Sequence, residues 1–567
     1  MTYRLWHGII TLRQRRFFIE VILLNVNPLL QDINAKTFLQ DYLEAKGVID
    51  VKKYLHPDGS CFDSCWDYPN IEEAIDLFHA HKEDKIGIVI DSDMDGACSA
   101  ALTTIFLKSL GVGNHQVFAH NGKQHGITDL VEQILEADID FLFIPDAGTN
   151  EVESCKVLKE HGIDIVVLDH HLVEKPNPYA IIVNPYLGDG LNTKISGTGV
   201  VYKFCEAYYS RYKGCEWAEC GNTMDIVAVS LVSDVCDLSS LENRAFIEYG
   251  LSDPDNEFLC HLFTKKCTRR GVTPEGISWD VAPLGNALAR SDEQETKLLF
   301  FKALVGEIDF EEALKDITRV KRQQDNAVKA VVEELEPTLD MSHKAIVGFS
   351  DAENKSFLGL IANKFCGANN KPVFLFRELN KDKWSGSMRS PVPLAEKINE
   401  SGLATAQGHE EACGVLVKKS NLDRFISWLD TLDLSTKPAI DVTACVKPEA
   451  LNTQLMKSIQ DKKVLWGKGM EQPTFFIKQK VKSSQVFVFE KKTTTIKVVC
   501  GDLSCIKFFA KPEDVEAFKK YDEFELEMVI GDCGTNEWEG VVTSQGVIKE
   551  YEIKPIEKKE ESWEDLF

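Results

Sequence analysis

At 567 residues, with 44% hydrophobic and 27% charged residues, the chain has the composition of a globular protein and the length for several domains. Its formal charge of −25 excludes a protein that coats nucleic acid indiscriminately, although a local basic channel can coexist with it. No apolar run reaches the roughly 18 residues of a membrane span. The nearest, at 17–24, is interrupted by Glu20, and no small-residue cleavage site follows Arg13, Arg15 and Arg16. The 16 cysteines include no CxxC pair; the closest are Cys61/Cys65, Cys215/Cys220 and Cys500/Cys505. They read as buried free thiols in a reducing compartment, since a chain this long needs no disulfide staples.

Residues 1–35 carry no motif and read as a loose extension. Over 36–240, short β-branched runs alternate with helical stretches: KIGIVID (85–91), DFLFIPD (140–146), DIVVLDH (164–170) and AIIVNP (180–185). That rhythm predicts a parallel sheet with crossover helices, whose strand ends collect polar residues on one edge. Residues 241–340 read as a helical connector, rich in helix formers over 290–335. A smaller α/β unit is expected over 341–437, with KAIVGFS and KPVFLF as strands around a helix at 356–366. Alternating runs (FFIKQKV, QVFVFEK, TTIKVVCG, EFELEMVIG, EGVVTSQGVIKEYEI) predict a β-barrel over 438–556. An acidic tail closes the chain at 557–567.

Four segments read as strand ends concentrate the reactive side chains: DSDMDG with Asp91, Asp93 and Asp95; PDAGTN with Asp146; LDHH with Asp169, His170 and His171; and VSDVCDL with Asp234. Any one of these aspartates reads as a helix cap. The whole set, with its paired histidines, suits hard divalent ions, which take oxygen ligands and an occasional imidazole. Two such ions about 3.5–4 Å apart can clamp the oxygens of a phosphodiester.

In their order along the chain, these segments resemble the four motifs of the DHH phosphoesterase superfamily. The resemblance implies Asp93, Asp95, Asp146, His170 and Asp234 as ligands of two Mn²⁺ or Mg²⁺ ions. It implies His171 as the residue that contacts the scissile phosphate or donates a proton, Asp169 as its orienting neighbour, and Asp91 as a further residue beside the metals. Some relatives have a histidine four residues before the first ligand; here Val89 stands there.

Further segments resemble the RecJ branch. ISWDVAPLGNALARSDE (277–293) keeps Asn286 and Arg290 of a segment that receives nucleic-acid phosphate in that family. WSGSMRS (384–390) and QGHEEACGV (407–415) resemble the DHHA1 domain, implying Ser387, Arg389, Gly408 and His409 as nucleic-acid contacts, with Gln407 where the family has a glycine. LWGKGMEQPTF (465–475) resembles the linker before the oligonucleotide-binding (OB) domain of RecJ. Phe487, Phe489, Phe508, Phe509 and Lys507 then offer stacking groups, although alternating phenylalanines are read first as barrel core.

The fold expected is therefore an α/β chain: a parallel-sheet DHH domain, a helical connector, an α/β DHHA1 domain and an OB-like barrel. The function expected is 5′ to 3′ hydrolysis of single-stranded DNA to mononucleotides, with the polarity resting on the RecJ resemblance alone. Two other readings are a phosphodiesterase of short oligonucleotides or cyclic dinucleotides, and a replication scaffold without activity. A cytoplasmic monomer is expected, in a bacterial cell or a phage-infected host, with no membrane partner. The tail SWEDLF (562–567), with Trp563, Leu566 and Phe567 beside acids, would dock on a sliding clamp or a single-strand-binding protein.

Overall fold

The computed structural model describes residues 26–120, 124–221, 223–291, 293–350, 357–434 and 440–556. The predicted α/β architecture is present. Its first sheet holds five parallel strands in the spatial order His115–Ala119, Ile86–Ile90, Phe141–Pro145, Asp164–Leu168, Ile181–Val183. The edge strand His115–Ala119 was not read from the sequence. Alternate residues of each strand enter two separate cores. Ile86, Ile88, Phe141 and Phe143 face one side, and Val89, Leu142 and Ile144 face the other. Both faces are covered because these strands are apolar at nearly every position.

This strand order places the topological switch point between Ile86–Ile90 and Phe141–Pro145. In open α/β sheets that crevice, outside the carboxyl ends of the strands, is where ligands bind. Asp91 and Asp146 are the residues that immediately follow these two strands.

The connector is helical, ending in the 26-residue helix Phe310–Leu335 capped by Asp309. A second five-stranded sheet follows in the order Ala404–His409, Ala412–Lys418, Lys383–Arg389, Val373–Asn380, Ile346–Phe349; only its last two strands pair in parallel. The third sheet has eight strands, in a β-rich unit consistent with an OB-like domain. Its longest strands, Glu523–Trp538 and Val541–Pro555, pair antiparallel, with register shifts at Val529/Ile530 and Gly531/Gly534 that bend the ribbon.

Three expectations need correction. Residues 26–30 are not a loose extension: Val26–Leu30 pairs in parallel with Ile440–Val446 at the edge of the third sheet. The helix Phe38–Ala45 packs there too, with Phe38 5.7 Å from Phe475 and Tyr42 6.1 Å from Trp466 between ring centroids. Burying each such side chain is worth about 1.5–3 kcal/mol, so residues 38–54 are built into the third unit's core although they precede the first sheet.

The second correction concerns the phenylalanines read as barrel core. In Val486–Glu490 the valines face inward, whereas Phe487, Phe489, Phe508 and Phe509 are exposed at 46%, 48%, 42% and 71%. Period-two alternation fixes which residues share a face but not which face is buried. Third, VSDVCDL is not a strand end: Asp234 terminates the helix Met224–Ser233.

The described cysteines are free and most are buried, while Cys445 is exposed. No helix among the described residues is long and apolar enough to cross a membrane. The segment 17–24 and the tail 557–567 lie outside the described residues.

Candidate metal centre and nucleic-acid cleft

Asp91, Asp93, Asp95, Asp146, Asp169, His170, His171 and Asp234 converge at the switch point. Asp93 caps the helix Met94–Ser109, accepting from the Gly96 amide at 3.0 Å, so its role as a helix cap is real. That bond engages one carboxylate oxygen. Asp91, Asp93 and His125 form one group of potential ligands; Asp95, His170 and Asp234 form a second, and Asp146, His170 and His171 a third. His125 Nδ1 lies 2.6 Å from Asp91 Oδ2. His125 had no signal in the sequence, because it reaches Asp91 from the loop after the unread edge strand.

His170 joins the centre. Its Nε2 is 3.2 Å from Asp146 Oδ1 and 3.8 Å from both Asp95 Oδ2 and Asp234 Oδ2. Its Nδ1 is 2.7 Å from the Ile195 carbonyl, which can only accept, so Nδ1 carries the proton. With Nδ1 so engaged, the Nε2 edge of the ring faces three carboxylates, an arrangement that a bound cation suits. Asp91 Oδ1 and Asp146 Oδ1 are buried without a hydrogen-bond partner. Their nearest cationic neighbours are histidine nitrogens, His120 Nε2 at 3.7 Å from Asp91 Oδ1 and His170 Nε2 at 3.2 Å from Asp146 Oδ1, and a divalent metal would fit both oxygens.

The electrostatics agree. Burial, then the charges of Asp95, Asp93, Asp91 and Asp234, push the Asp146 carboxyl well above the ordinary carboxylate range. Burial, then Asp95, push Asp234 up to about 6. Burial also acts to raise Asp95, but His170 and hydrogen bonds from Ser230 and Thr198 prevail and hold it below the ordinary value. Asp95 accepts from the Gly197 amide at 2.8 Å, the Thr198 hydroxyl at 2.6 Å and the Ser230 hydroxyl at 2.5 Å. It therefore sits against the N-terminal end of the helix Gly197–Tyr212.

Asp169 has a different surrounding. It accepts from the amides of Thr149, His170 and His171 and from His171 Nδ1 at 2.7 Å. Although burial opposes it, the hydrogen bond from His171 keeps Asp169 well below the usual range. The same bond pushes His171 up to about 9. Asp169 is thus occupied in fixing the loop and the His171 ring, while the His171 side chain remains 55% exposed.

Two backbone features hold this edge. Asp146 has φ 60° and Val235 φ 59°, left-handed values that are uncommon for aspartate and strained for a β-branched residue. Gly197 approaches Asp146 so closely that an added Cβ would lie 2.4 Å from its Oδ1. Gly197→Val is therefore expected to displace Asp146 and lower both metal affinity, read by titration calorimetry, and turnover by at least tenfold.

The helix Ala282–Ala289 abuts the centre, with Gly285 against the Met94 sulfur. It carries Asn286, whose carbonyl accepts from Arg290 at 2.6 Å. Burial, then the charge of Arg389, lower the Arg290 pKa. Arg389 ends the strand Lys383–Arg389 and packs beside Ser387 over Gly359, where a Cβ would lie 2.9 Å from its Nη2. Two half-buried arginines whose charges act on each other favour a shared anion. Gly408 has φ 131°, and a Cβ there would meet the Ala412 carbonyl at 3.1 Å. Gln407 and His409 are exposed on either side of it, and the described contacts bring neither Gly408 nor His409 to the carboxylates.

Beyond Val235 and Cys236 a cleft of about 730 Å³ separates the first domain and connector from the OB-like unit. Trp279, 66% exposed, and Arg269 line one wall, and Phe508 and Lys549 the other. The linker closes one end: Gly469, at φ 79°, lies where a Cβ would strike the Asp237 carboxylate.

Residues 85–230 match the family model described as DHH family, N-terminal domain. Over 564 residues the chain is 27% identical to YorK, the SPbeta prophage-derived protein of Bacillus subtilis (strain 168) named as a single-strand DNA-specific exonuclease; the match covers 92% of this chain and 97% of YorK. The chain is also similar to RecJ. It is 28% identical over 355 residues to the single-stranded-DNA-specific exonuclease RecJ of Thermus thermophilus, covering 59% of this chain and half of that protein. The solved structure of Thermus thermophilus RecJ in complex with Mn²⁺ superimposes with a TM-score of 0.72 at 21% identity, over 94% of this chain and 79% of that one.

Proposed function

We propose that this RecJ-like chain is a metal-dependent exonuclease that digests single-stranded DNA from the 5′ end to mononucleotides. The observation that carries this reading is the convergence of five aspartates and three histidines at the sheet's switch point, with buried carboxylate oxygens left without hydrogen-bond partners. The names of YorK and RecJ support the substrate class, and the RecJ resemblance supplies the polarity.

Asp91, Asp93 and His125 would hold one divalent ion, and Asp95, Asp146, His170 and Asp234 a second. Mn²⁺ or Mg²⁺ bound there would neutralise phosphodiester charge and acidify a water. Asp169 keeps the His171 ring oriented, and His171 offers its outward nitrogen to a phosphate oxygen. Arg290 and Arg389, with Ser387 and Asn286 beside them, would receive the phosphate next to the cut. Unpaired bases would lie in the cleft between Trp279 and Phe508, which accounts for selection of single strands.

Metal-free protein should be inactive and regain activity with Mn²⁺ or Mg²⁺, and calorimetry should count two ions per chain. Full activity in excess chelator would overturn the reading. Arg290→Ala and Arg389→Ala should each weaken DNA binding and reduce its salt slope by about 0.7–0.9, with metal content unchanged. Fluorescence anisotropy across a salt series measures this. An unchanged slope in both variants would remove the arginines from the phosphate site.

A further inference from the structure

A groove of about 540 Å³ runs between the helices Glu257–Lys266 and Phe310–Leu335 of the connector. Five cations line it against two carboxylates, in a chain whose formal charge is −25. Arg319 is paired with Asp316 at 3.0 Å, and Lys266 donates to the Thr318 hydroxyl at 2.8 Å. Among the described residues, Lys265, Lys315 and Arg322 have no carboxylate within ion-pair distance, and all three are exposed. Three cations without counter-charges along one groove form a local positive field.

The groove does not stand alone. Lys265 and Lys266 belong to the run KKCTRR (265–270), one turn of chain that continues to Arg269 and Arg270. These two arginines line the large cleft that also borders Val235 and Cys236, next to Asp234. The segment thus joins the groove to this cleft, with Arg269 exposed there and Arg270 paired with Asp280 at 2.7 Å and Glu275 at 3.3 Å. Apart from His261, which is tilted against Phe310, no aromatic side chain lines the groove, so it has little on which to stack a base. Its chemistry is that of backbone phosphate recognition without base readout.

We infer that the groove is a second phosphodiester-binding site, which grips DNA outside the catalytic cleft and keeps a long strand attached between cuts. The inference rests on the exonuclease reading for its role, but its binding can be measured without catalysis. Continuity with the cleft favours nucleic acid as the occupant over an acidic protein segment.

The test is Lys265→Gln/Lys315→Gln/Arg322→Gln in the full-length chain, with binding of a fluorescent single strand about 40 nucleotides long followed across a salt series without divalent ions. The salt slope should fall by about 2, the loss expected for three phosphate contacts on a single strand. With metal added, digestion of the long strand should become distributive and accumulate intermediates. Hydrolysis of a dinucleotide should stay at the unaltered rate, which also reports an intact fold. An unchanged slope would overturn the inference, and weakened capture of poly-glutamate alongside it would assign the groove to acidic protein segments instead. Failure of the unaltered protein to cut any single strand would instead sink the exonuclease reading, leaving the slope comparison valid.

Discussion

Asp146→Asn should abolish hydrolysis and at the same time stabilise the metal-free protein. Asp146 is 2% exposed, carries a buried oxygen that accepts no hydrogen bond and faces four other carboxylates. Loss of one charge-stabilising group in a site of this kind costs about a hundred- to a thousandfold in turnover. The same charge destabilises the empty fold, because buried like charges without counter-ions are unfavourable. The amide is nearly isosteric and removes that repulsion. Melting without metal should therefore rise by a few degrees, while the further rise on adding Mn²⁺ should shrink. A variant that loses activity and also melts earlier would show that Asp146 serves the fold rather than the centre.

The second large effect is expected from Trp279→Ala/Phe508→Ala. Both side chains are exposed on facing walls of the cleft, and neither belongs to a hydrophobic core. Stacking is worth about 1–3 kcal/mol per base, so removing two platforms should weaken a long single strand by about 30-fold or more. Dinucleotide hydrolysis, which needs only the carboxylate edge, should change less than about threefold. Binding curves for a long strand, beside turnover of a dinucleotide, separate the two. Substitution is the sound approach here. Deleting residues 438–567 would uncover Phe38, Tyr42 and Leu43, whose partners lie in the third unit.

Much of the first domain was legible because its buried strands are nearly continuous Val, Ile, Leu and Phe runs ending in acids. The missed elements share a physical cause. His115–Ala119 is an edge strand, half polar, so its periodicity is faint, and with it went the histidine that touches Asp91. Val26–Leu30 contains Pro28, which argues against a central strand and is tolerated at the sheet edge where this strand lies. The phase of Val486–Glu490 was misread because valine and phenylalanine alternate, and both are apolar.

The candidate site divides in the same way. Asp91, Asp93, Asp95 and Asp146 lie beside strand ends and could be placed from sequence. Asp234 was found through its motif although it sits on a helix end. The influence of Arg389 on Arg290 was not visible, because it acts between a connector helix and the second sheet across about a hundred residues of chain.

The most direct test of the central claim is a time course of digestion by the intact protein with Mn²⁺. A long single strand labelled at either end, a blunt duplex and a dinucleotide should be compared. The account predicts immediate release of labelled mononucleotide from the 5′ end, late loss of the 3′ label, and an untouched duplex. Preference for the dinucleotide with the long strand left intact would contradict it, and would make the chain a phosphodiesterase of short substrates.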